Sequence, residues 1–264
     1  MKKIIEGFFA ILLVCFSFFY TDKVINTINA SDPLMSQITQ VKSDYDILPV
    51  NAILSEDTII PGIIGREIDT QKSYDNMKLG GIFREDALVF RYLSPTNSVV
   101  NNMDKYIIKG NGSKNDVSII VIFNNSYINT IEQYDDLTIF VNHKDLTIDN
   151  IKILKNKEVY TYGNRGVYSN EILVSDNSLI NRISNNKSNY CLVKEKNDET
   201  LKVCNDNSMY VVFPNIIGNY YEIKNNLSNG SIILLDSFSN IDIIIKYIGS
   251  KGYDIVPLGQ LLSE

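Results

Sequence analysis

Histidine is nearly absent from this sequence, which has 264 residues, a single histidine, three cysteines and no tryptophan. Most catalytic zinc centres use several imidazole ligands, so one histidine argues against that kind of site. No Gly-x-Ser-x-Gly segment and no glycine-rich phosphate loop occurs, which excludes the serine-hydrolase elbow and the common nucleotide-binding loops. The net charge is −6, without a Lys/Arg cluster. We therefore predict no cofactor, no metal and no nucleic-acid partner.

The N-terminus carries the clearest local signal. Lys2 and Lys3 precede an apolar run from Gly7 to Tyr20. A membrane span needs about 17–25 residues, so the run is short, but no small-residue cleavage site follows it directly. We predict that residues 1–22 are a signal anchor rather than a cleaved signal peptide. The protein would then be single-pass in the cell membrane, with both lysines inside and the bulk of the chain extracytoplasmic.

Three further segments follow the apolar run. Residues 23–49 are polar with scattered apolar positions and are predicted to form a stalk. Residues 50–112 are predicted to form a small N-terminal module, with a helix at 69–78 and a strand at 87–92. The turn-rich residues 110–115 would link this module to a larger domain at 113–264.

Short β-branched runs alternate with helix-like stretches in the larger domain. The clearest helix is predicted at 241–251, where apolar residues recur at helical spacing and Asn240 can cap the start. Alternation of this kind indicates an α/β fold with a mainly parallel sheet or barrel, whose sites gather at the carboxyl ends of the strands. Seven strands are predicted, at 117–123, 137–141, 158–162, 190–193, 209–213, 231–235 and 254–257.

Two of the cysteines, Cys191 and Cys204, lie outside the apolar N-terminal run. Their spacing lets them approach each other, and an exported protein could oxidise them to a disulfide. Cysteine also serves as a small apolar core residue, and a domain of this size does not need a covalent link. We therefore predict free thiols.

Five segments, in order, resemble motifs of the polysaccharide deacetylase (NodB-homology) family. The resemblance covers about residues 117–264 and implies an irregular seven-stranded (β/α) barrel. It further implies a hydrolase of the amide bonds of N-acetylated glycans. The segments are Ser118–Ser126, Thr138–Lys144, Tyr162–Asn170, Asn229–Asp236 and Lys251–Leu262.

The chain departs from the family pattern at its catalytic positions. Where the family has an aspartate base followed by a metal-binding aspartate, this sequence has Asn124 and Asn125. An amide is neutral and cannot accept the proton. The two metal-binding histidines would fall at Arg165 and at Ser169 or Asn170.

The final histidine of the family, an acid, falls at Asp236. Since Arg165 carries a permanent positive charge that would repel a divalent cation, we predict a catalytically inactive protein. Its role would be cell-wall glycan binding or scaffolding, with a cell-wall polysaccharide or an envelope protein as partner and the membrane contacted through the N-terminal segment. The candidate cleft residues are Asn124, Asn125, Arg165, Tyr168, Asn170, Glu195 and Asp236.

Two alternatives remain open from the sequence. One is an active, metal-dependent amide hydrolase (a carbohydrate deacetylase) with a non-standard site in which Asp176, Glu195 and Asp236 converge. The other is a structural envelope protein without a small ligand. A compact carboxylate cluster at the strand ends would favour the hydrolase, whereas a cleft lined by aromatic and polar groups would favour glycan binding.

Overall fold

The computed structural model describes residues 2–184, 187–238 and 240–264, without the side chains of residues 2–10, 22, 25, 26 and 28. Strands alternate with helices after residue 116, as predicted. The strands are β1 Ile53–Leu54, β2 Thr58–Ile60, β3 Gly65–Ile68, β4 Phe90–Leu93, β5 Tyr106–Ile107, β6 Asp116–Ile122, β7 Thr138–Val141, β8 Glu158–Thr161, β9 Tyr190–Leu192, β10 Tyr210–Val212, β11 Ile216–Gly218, β12 Ile232–Leu235 and β13 Asp254–Ile255. The α-helices are α1 Lys2–Ala30, α2 Pro33–Gln40, α3 Lys42–Tyr45, α4 Thr70–Met77, α5 Ile128–Gln133, α6 Ile148–Leu154, α7 Asn170–Ile183, α8 Asp198–Asp206, α9 Tyr220–Asn226, α10 Ile241–Ser250 and α11 Leu258–Leu261.

Strand β6 is the centre of a parallel sheet. The order of that sheet is β11-β12-β6-β7-β8, and β13 pairs in parallel with the start of β6. The five internal residues of β6 are all buried. Burial on both faces is what a parallel strand covered by helices requires, and it explains the nearly continuous apolar sequence of β6.

A second sheet has the order β1-β2-β5-β10-β9, in which only β1 and β2 are antiparallel. In the described residues, side chains rather than backbone pairing bridge β8 and β9. Ser188 Oγ, for example, accepts a hydrogen bond from the Thr161 N–H at 3.1 Å. The α/β class is therefore confirmed. The predicted barrel is not, because the strand pairing divides the strands between two sheets.

The strands pack on two apolar layers, one on each side. One layer lies between the sheet and the helices and includes Val117, Ile119 and Val121 of β6. The other holds Ile120 and residues of both sheets, together with Leu258 of α11. The alternation of side chains along a strand separates neighbouring residues into these two layers.

The division of the chain differs from the predicted one. One compact unit comprises residues 1–49 and 64–93, and the other comprises residues 50–63 and 94–264. The predicted module at 50–112 is thus split, because β1, β2 and β5 join the sheet that contains β10. Sequence-local patterns do not reveal such long-range strand pairing.

The smaller unit has its own core. Within residues predicted to be a stalk, α2 begins at Pro33 with the side chain of Asp32 accepting a hydrogen bond from the Leu34 N–H. The hydroxyl of Tyr74 donates to the other carboxylate oxygen of Asp32 at 2.9 Å, which joins α4 to the start of α2. The buried residues of this core are Leu34, Ile38, Ile68, Tyr74 and Met77.

Helix α1 includes the predicted apolar run and continues beyond it to Ala30. Many of its described apolar side chains are exposed, from Ile11 to Tyr20. Among the described residues, no helix has both the length and the apolar character needed to cross a membrane. The side chains of residues 7–10, where the predicted run begins, lie outside the described ones.

The prediction of free thiols is wrong. Cys191 in β9 and Cys204 in α8 form a disulfide, with their Cα atoms 6.5 Å apart. Helix α8 begins shortly after β9, where the side chain of Asn197 accepts a hydrogen bond from the Thr200 N–H. The last turn of α8 then brings Cys204 back to the strand, so both sulfur atoms meet in a fully buried cluster.

We expect the double substitution Cys191→Ser and Cys204→Ser to lower the free energy of unfolding by about 2–4 kcal/mol, since the cross-link restricts the unfolded chain. Urea denaturation monitored by circular dichroism measures this loss. The control is Cys15→Ser, which changes the exposed free cysteine and should leave the midpoint unchanged. Two reactive thiols per chain after denaturation without reductant, in the Cys15→Ser protein, would contradict the disulfide.

Candidate functional site

A cleft of about 710 Å³ opens at the carboxyl ends of β6, β7, β8 and β12. Its polar lining consists of residues that immediately follow strands. This is the edge where parallel α/β folds place their sites. The charged and amide residues of the lining are Asn124, Asn142, Lys144, Asp145, Asn164, Arg165, Lys194 and Asp236.

Most of these residues line the cleft because every second side chain of each strand points into the inner layer, and they continue that series past the end of the strand. Along β6 the inner layer receives Ile120 and Ile122, and the next position in that series is Asn124. Tyr190 and Leu192 of β9 belong to the same layer and are continued by Lys194. Each strand therefore ends its inward apolar series with a polar side chain at the cleft.

Two asparagines fix the first turns at the cleft. Asn124 Oδ1 accepts a hydrogen bond from the Ser126 N–H at 2.9 Å, and Asn142 Oδ1 accepts one from the Lys144 N–H at 3.1 Å. Each begins a 3₁₀ turn directly after its strand, a capping role for which asparagine is well suited. Asn142 also donates through Nδ2 to the carbonyl oxygen of Tyr162 at 3.1 Å, which holds β7 and β8 together at this edge.

Arg165 lies in a tight turn after β8. The Val167 N–H donates to the carbonyl oxygen of Asn164 at 3.1 Å. Arg165 and Gly166, the two central residues, have φ values of +56° and +84°. Positive φ at both positions is the mark of a type I′ turn, which favours Asn, Asp or Gly at the position that arginine occupies here.

Gly163 makes this turn possible. A Cβ atom at that position would lie 2.4 Å from the carbonyl oxygen of Val167. Only glycine therefore allows the two sides of the turn to approach so closely. The turn presents Asn164 and Arg165 to the cleft.

An aromatic pair forms another part of the cleft wall. The rings of Tyr127 and Phe238 have centroids 4.7 Å apart and planes inclined by 31°. Tyr162 also lines the cleft, and burial raises the pKa of its phenol above the ordinary value. The lining thus combines apolar ring faces with amides and charges, the composition typical of small-molecule sites.

The structure brings Asn124, Arg165 and Asp236 of the predicted cleft residues together. It places Asn125 outside the lining, where its Oδ1 accepts a hydrogen bond from Asn150 Nδ2 on α6 at 3.0 Å. Glu195 is exposed and also lies outside the lining. Each is one residue past an inward position, so the alternation of the strand directs it away from the cleft.

Asn170 and Ser169 begin α7 rather than line the cleft. The Asn170 Oδ1 accepts a hydrogen bond from Asn207 Nδ2 at 2.7 Å, and Ser169 Oγ accepts one from the Ile172 N–H.

Tyr168 is buried and has a structural position. Its hydroxyl lies 3.1 Å from the carbonyl oxygen of Thr161 and accepts a hydrogen bond from the Leu192 N–H at 2.9 Å. Burial raises the pKa of this phenol, which keeps the hydroxyl protonated and able to donate. Tyr168 therefore bridges the ends of β8 and β9 and, contrary to the prediction, does not line the cleft.

The single histidine lies beside the cleft but outside its lining. Nδ1 of His143 contacts Oδ1 of Asp176 on α7, a carboxylate that is completely buried. The contact lacks the alignment of a hydrogen bond, and within the described residues neither Nδ1 of His143 nor Oδ2 of Asp176 has a hydrogen-bond partner. Asp176 is thus engaged away from the cleft and does not join Glu195 and Asp236.

No group of three His, Cys, Asp or Glu side chains that could hold a metal ion occurs among the described residues. The carboxylates that line the cleft are Asp145 and Asp236. The arrangement therefore does not contain the compact carboxylate cluster on which the alternative hydrolase depends.

The seven candidate cleft residues did not include six that line the cleft, namely Tyr127, Asn142, Lys144, Asn164, Lys194 and Phe238. The signal that could have found four of them is the inward series of each strand, continued past its end. Phe140 of β7, for example, lies in the inner layer and predicts Asn142 and Lys144. Tyr127 and Phe238 lie in connecting segments, to which strand alternation does not extend.

No family model matches this chain. The uncharacterized protein YlxY of Bacillus subtilis is 33% identical to this chain over 106 residues. The match covers 39% of this chain and 33% of YlxY, so the chain spans about a third of that relative.

Comparison with solved structures identifies the fold. The CE4 (carbohydrate esterase family 4) pseudoenzyme BA3943 from Bacillus anthracis superposes with a TM-score of 0.62 at 22% identity, over 89% of this chain and 96% of that chain. A mutant of that pseudoenzyme with restored enzymatic activity has the same TM-score, over 88% of this chain and 98% of that chain. The chitin deacetylase of the fungus Colletotrichum lindemuthianum gives 0.51 at 14% identity, over 61% of this chain and 92% of that chain. The chain therefore has the fold of the CE4 polysaccharide deacetylases, and the resemblance noted in the sequence is confirmed at the level of the fold.

We expect Tyr168→Phe to lower the free energy of unfolding by about 1–3 kcal/mol, because it leaves the buried Leu192 N–H without its acceptor. Chemical denaturation of the full chain measures the change. Tyr221→Phe is the matched control, since Tyr221 is 67% exposed and should tolerate the change. Equal midpoints for the two variants would show that the bridge between β8 and β9 contributes nothing.

Proposed function

We propose that this chain is a divergent, catalytically inactive member of the polysaccharide deacetylase family whose cleft binds cell-wall glycan. The observation that carries the proposal is the cleft itself. It has aromatic and amide groups suited to a sugar, and it is also lined by Asn124, Arg165 and Asp236, which the sequence resemblance aligns with catalytic positions of the family.

The side chains at those positions oppose the family's chemistry. Asn124 carries an amide, which cannot take a proton from water, and its oxygen already accepts the Ser126 N–H. Arg165 stays positively charged at any working pH and would repel a divalent cation. What this lining can do is bind, orient and desolvate a ligand.

The lining is well matched to a carbohydrate. The tilted rings of Tyr127 and Phe238 offer apolar surface to the C–H face of a sugar. Asn142, Asn164 and Asp236 offer hydrogen-bond partners to its hydroxyl and acetamido groups. A purely structural envelope protein has no need of this combination in a cleft.

We place the protein outside the cytoplasm, tethered by its N-terminal segment. The disulfide between Cys191 and Cys204 supports export, because such bonds persist in oxidising compartments. The exposed apolar side chains between Ile11 and Tyr20, preceded by Lys2 and Lys3, support a membrane tether.

We expect the purified full-length protein to release no acetate from chitotetraose, yet to bind it, because the lining retains recognition groups but not a proton acceptor. Acetate assay and calorimetric titration on the same sample separate the two properties. Acetate release that is abolished by Asp236→Ala, and kept by Asp206→Ala on the exposed face of α8, would establish an active hydrolase instead.

Binding should depend on the aromatic pair. Tyr127→Ala is expected to weaken chitotetraose binding by about 2- to 13-fold, the effect of losing about 0.5–1.5 kcal/mol of ring contact. Tyr221→Ala, at an exposed ring outside the lining, is the control. No measurable binding by the unaltered protein would contradict the proposed function.

We expect the full-length protein to fractionate with membranes and to be open to external protease beyond about Lys23. Protease treatment of intact cells, followed by detection with an antibody against the larger unit, tests this. Full-length protein in the soluble cytosol would overturn the proposed location.

A further inference from the structure

Three cationic side chains converge on the cleft. Lys144 follows β7, Arg165 follows β8 and Lys194 follows β9, and all three line the same cavity. None forms an ion pair with a carboxylate in the part of the chain that the structure describes. Two carboxylates, Asp145 and Asp236, also line the cavity, so its charged side chains leave one net positive charge.

This convergence contrasts with cations elsewhere in the chain. Lys157 is almost fully buried and donates to Asp135 Oδ1 at 2.6 Å, and Lys196 donates to Asp57 Oδ2 at 2.5 Å. Like charges gathered in one cleft repel each other, and the low-dielectric walls of a cleft strengthen their field. An anionic ligand would offset that repulsion.

The backbone conformation of Arg165 independently indicates that its side chain has a functional role. Arginine occupies the first central position of a type I′ turn, with a φ of +56° that Asn or Gly would adopt at lower cost. Strained backbone of this kind clusters at active sites and ligand-binding sites. The turn keeps an arginine at the cleft at a position where the fold alone favours asparagine.

We propose that the cleft is a binding site for an acidic glycan, one that carries carboxylate or phosphate groups on its sugar chain. Arg165 would donate two parallel hydrogen bonds from its planar guanidinium group to the anionic group. Lys144 and Lys194 would add electrostatic attraction to the same group. Tyr127 and Phe238 would contact the neighbouring sugar ring. This inference rests on the proposed glycan-binding function and specifies its ligand.

The test compares glycans of equal length in the full-length protein. The acidic probe is a peptide-free tetrasaccharide of alternating N-acetylglucosamine and N-acetylmuramic acid, which carries lactyl carboxylates, and the neutral probe is chitotetraose. We expect the acidic probe to bind about tenfold more tightly at about 20 mM salt, with most of this advantage lost at about 500 mM, since salt screens exposed charges. Chitotetraose 6-phosphate, which has the same sugar chain as the neutral probe, shows whether phosphate replaces carboxylate as the anion.

Arg165→Asn isolates the contribution of the side chain. Asparagine tolerates positive φ, so the melting temperature should stay the same or rise. The affinity for the acidic tetrasaccharide should fall about tenfold, as expected for loss of a charge-assisted hydrogen bond, and that for chitotetraose should change less than about twofold. Arg182→Gln, at an exposed arginine on α7 outside the lining, is the matched control and should leave both affinities unchanged.

The outcomes separate the inference from the proposed function. Preference for either anionic probe, reduced by Arg165→Asn, supports the acidic-glycan site and identifies its anion. Equal affinity for the neutral probe and both anionic probes overturns the inference and leaves glycan binding in place. Failure of every probe to bind contradicts both.

Discussion

The alternation of side chains along the parallel strands is the constraint on which the rest of this structure depends. Because neighbouring residues point to opposite faces, one series from each strand fills the inner layer and the other packs against the helices. The inner series reaches the cleft with Asn124, Lys144, Lys194 and Asp236. The position of each residue along its strand thus decides both which side chains fill the inner layer and which line the cleft. A shift of one residue would turn each side chain to the opposite face of the sheet.

Local patterns in the sequence predicted the elements well. The apolar stripe at helical spacing predicted α10, which spans Ile241–Ser250. Its start differs in detail, since Asn240 has a φ of +68° and makes no side-chain cap. The short strand β11, at Ile216–Gly218, was missed because Pro214 and Gly218 give this segment the composition of a turn.

Features that depend on distant residues were harder to predict. The split of residues 50–112 follows from the pairing of β5 with β10, and the disulfide follows from how α8 returns to β9. Among the cleft residues, Asn124, Arg165 and Asp236 were found by resemblance to a motif, whereas Asn125 and Glu195 were placed wrongly. Both residues lie one position past a residue that faces the cleft, so their side chains point to the opposite face of the sheet. The motif spacing does not indicate which face a residue occupies.

The shape of the cleft does not depend on catalytic side chains. The turns that follow β6, β7 and β8 are held by Asn124, Asn142 and Gly163 through bonds and contacts that do not require catalytic side chains. The shape of the cleft can therefore persist while the residue types lining it change. In this chain the lining offers amides, cations and aromatic rings.

The side chain of Glu264 has a consequence for how the chain folds. Its Oε1 accepts hydrogen bonds from the Gly62 and Val99 N–H groups, across sequence separations of 202 and 165 residues. Leu258 and Leu261 complete the inner layer at the same late stage of the sequence. Contacts of such high contact order form slowly and only after synthesis has passed them. The inner layer of the larger unit therefore cannot be completed until the residues up to Glu264 have been synthesised.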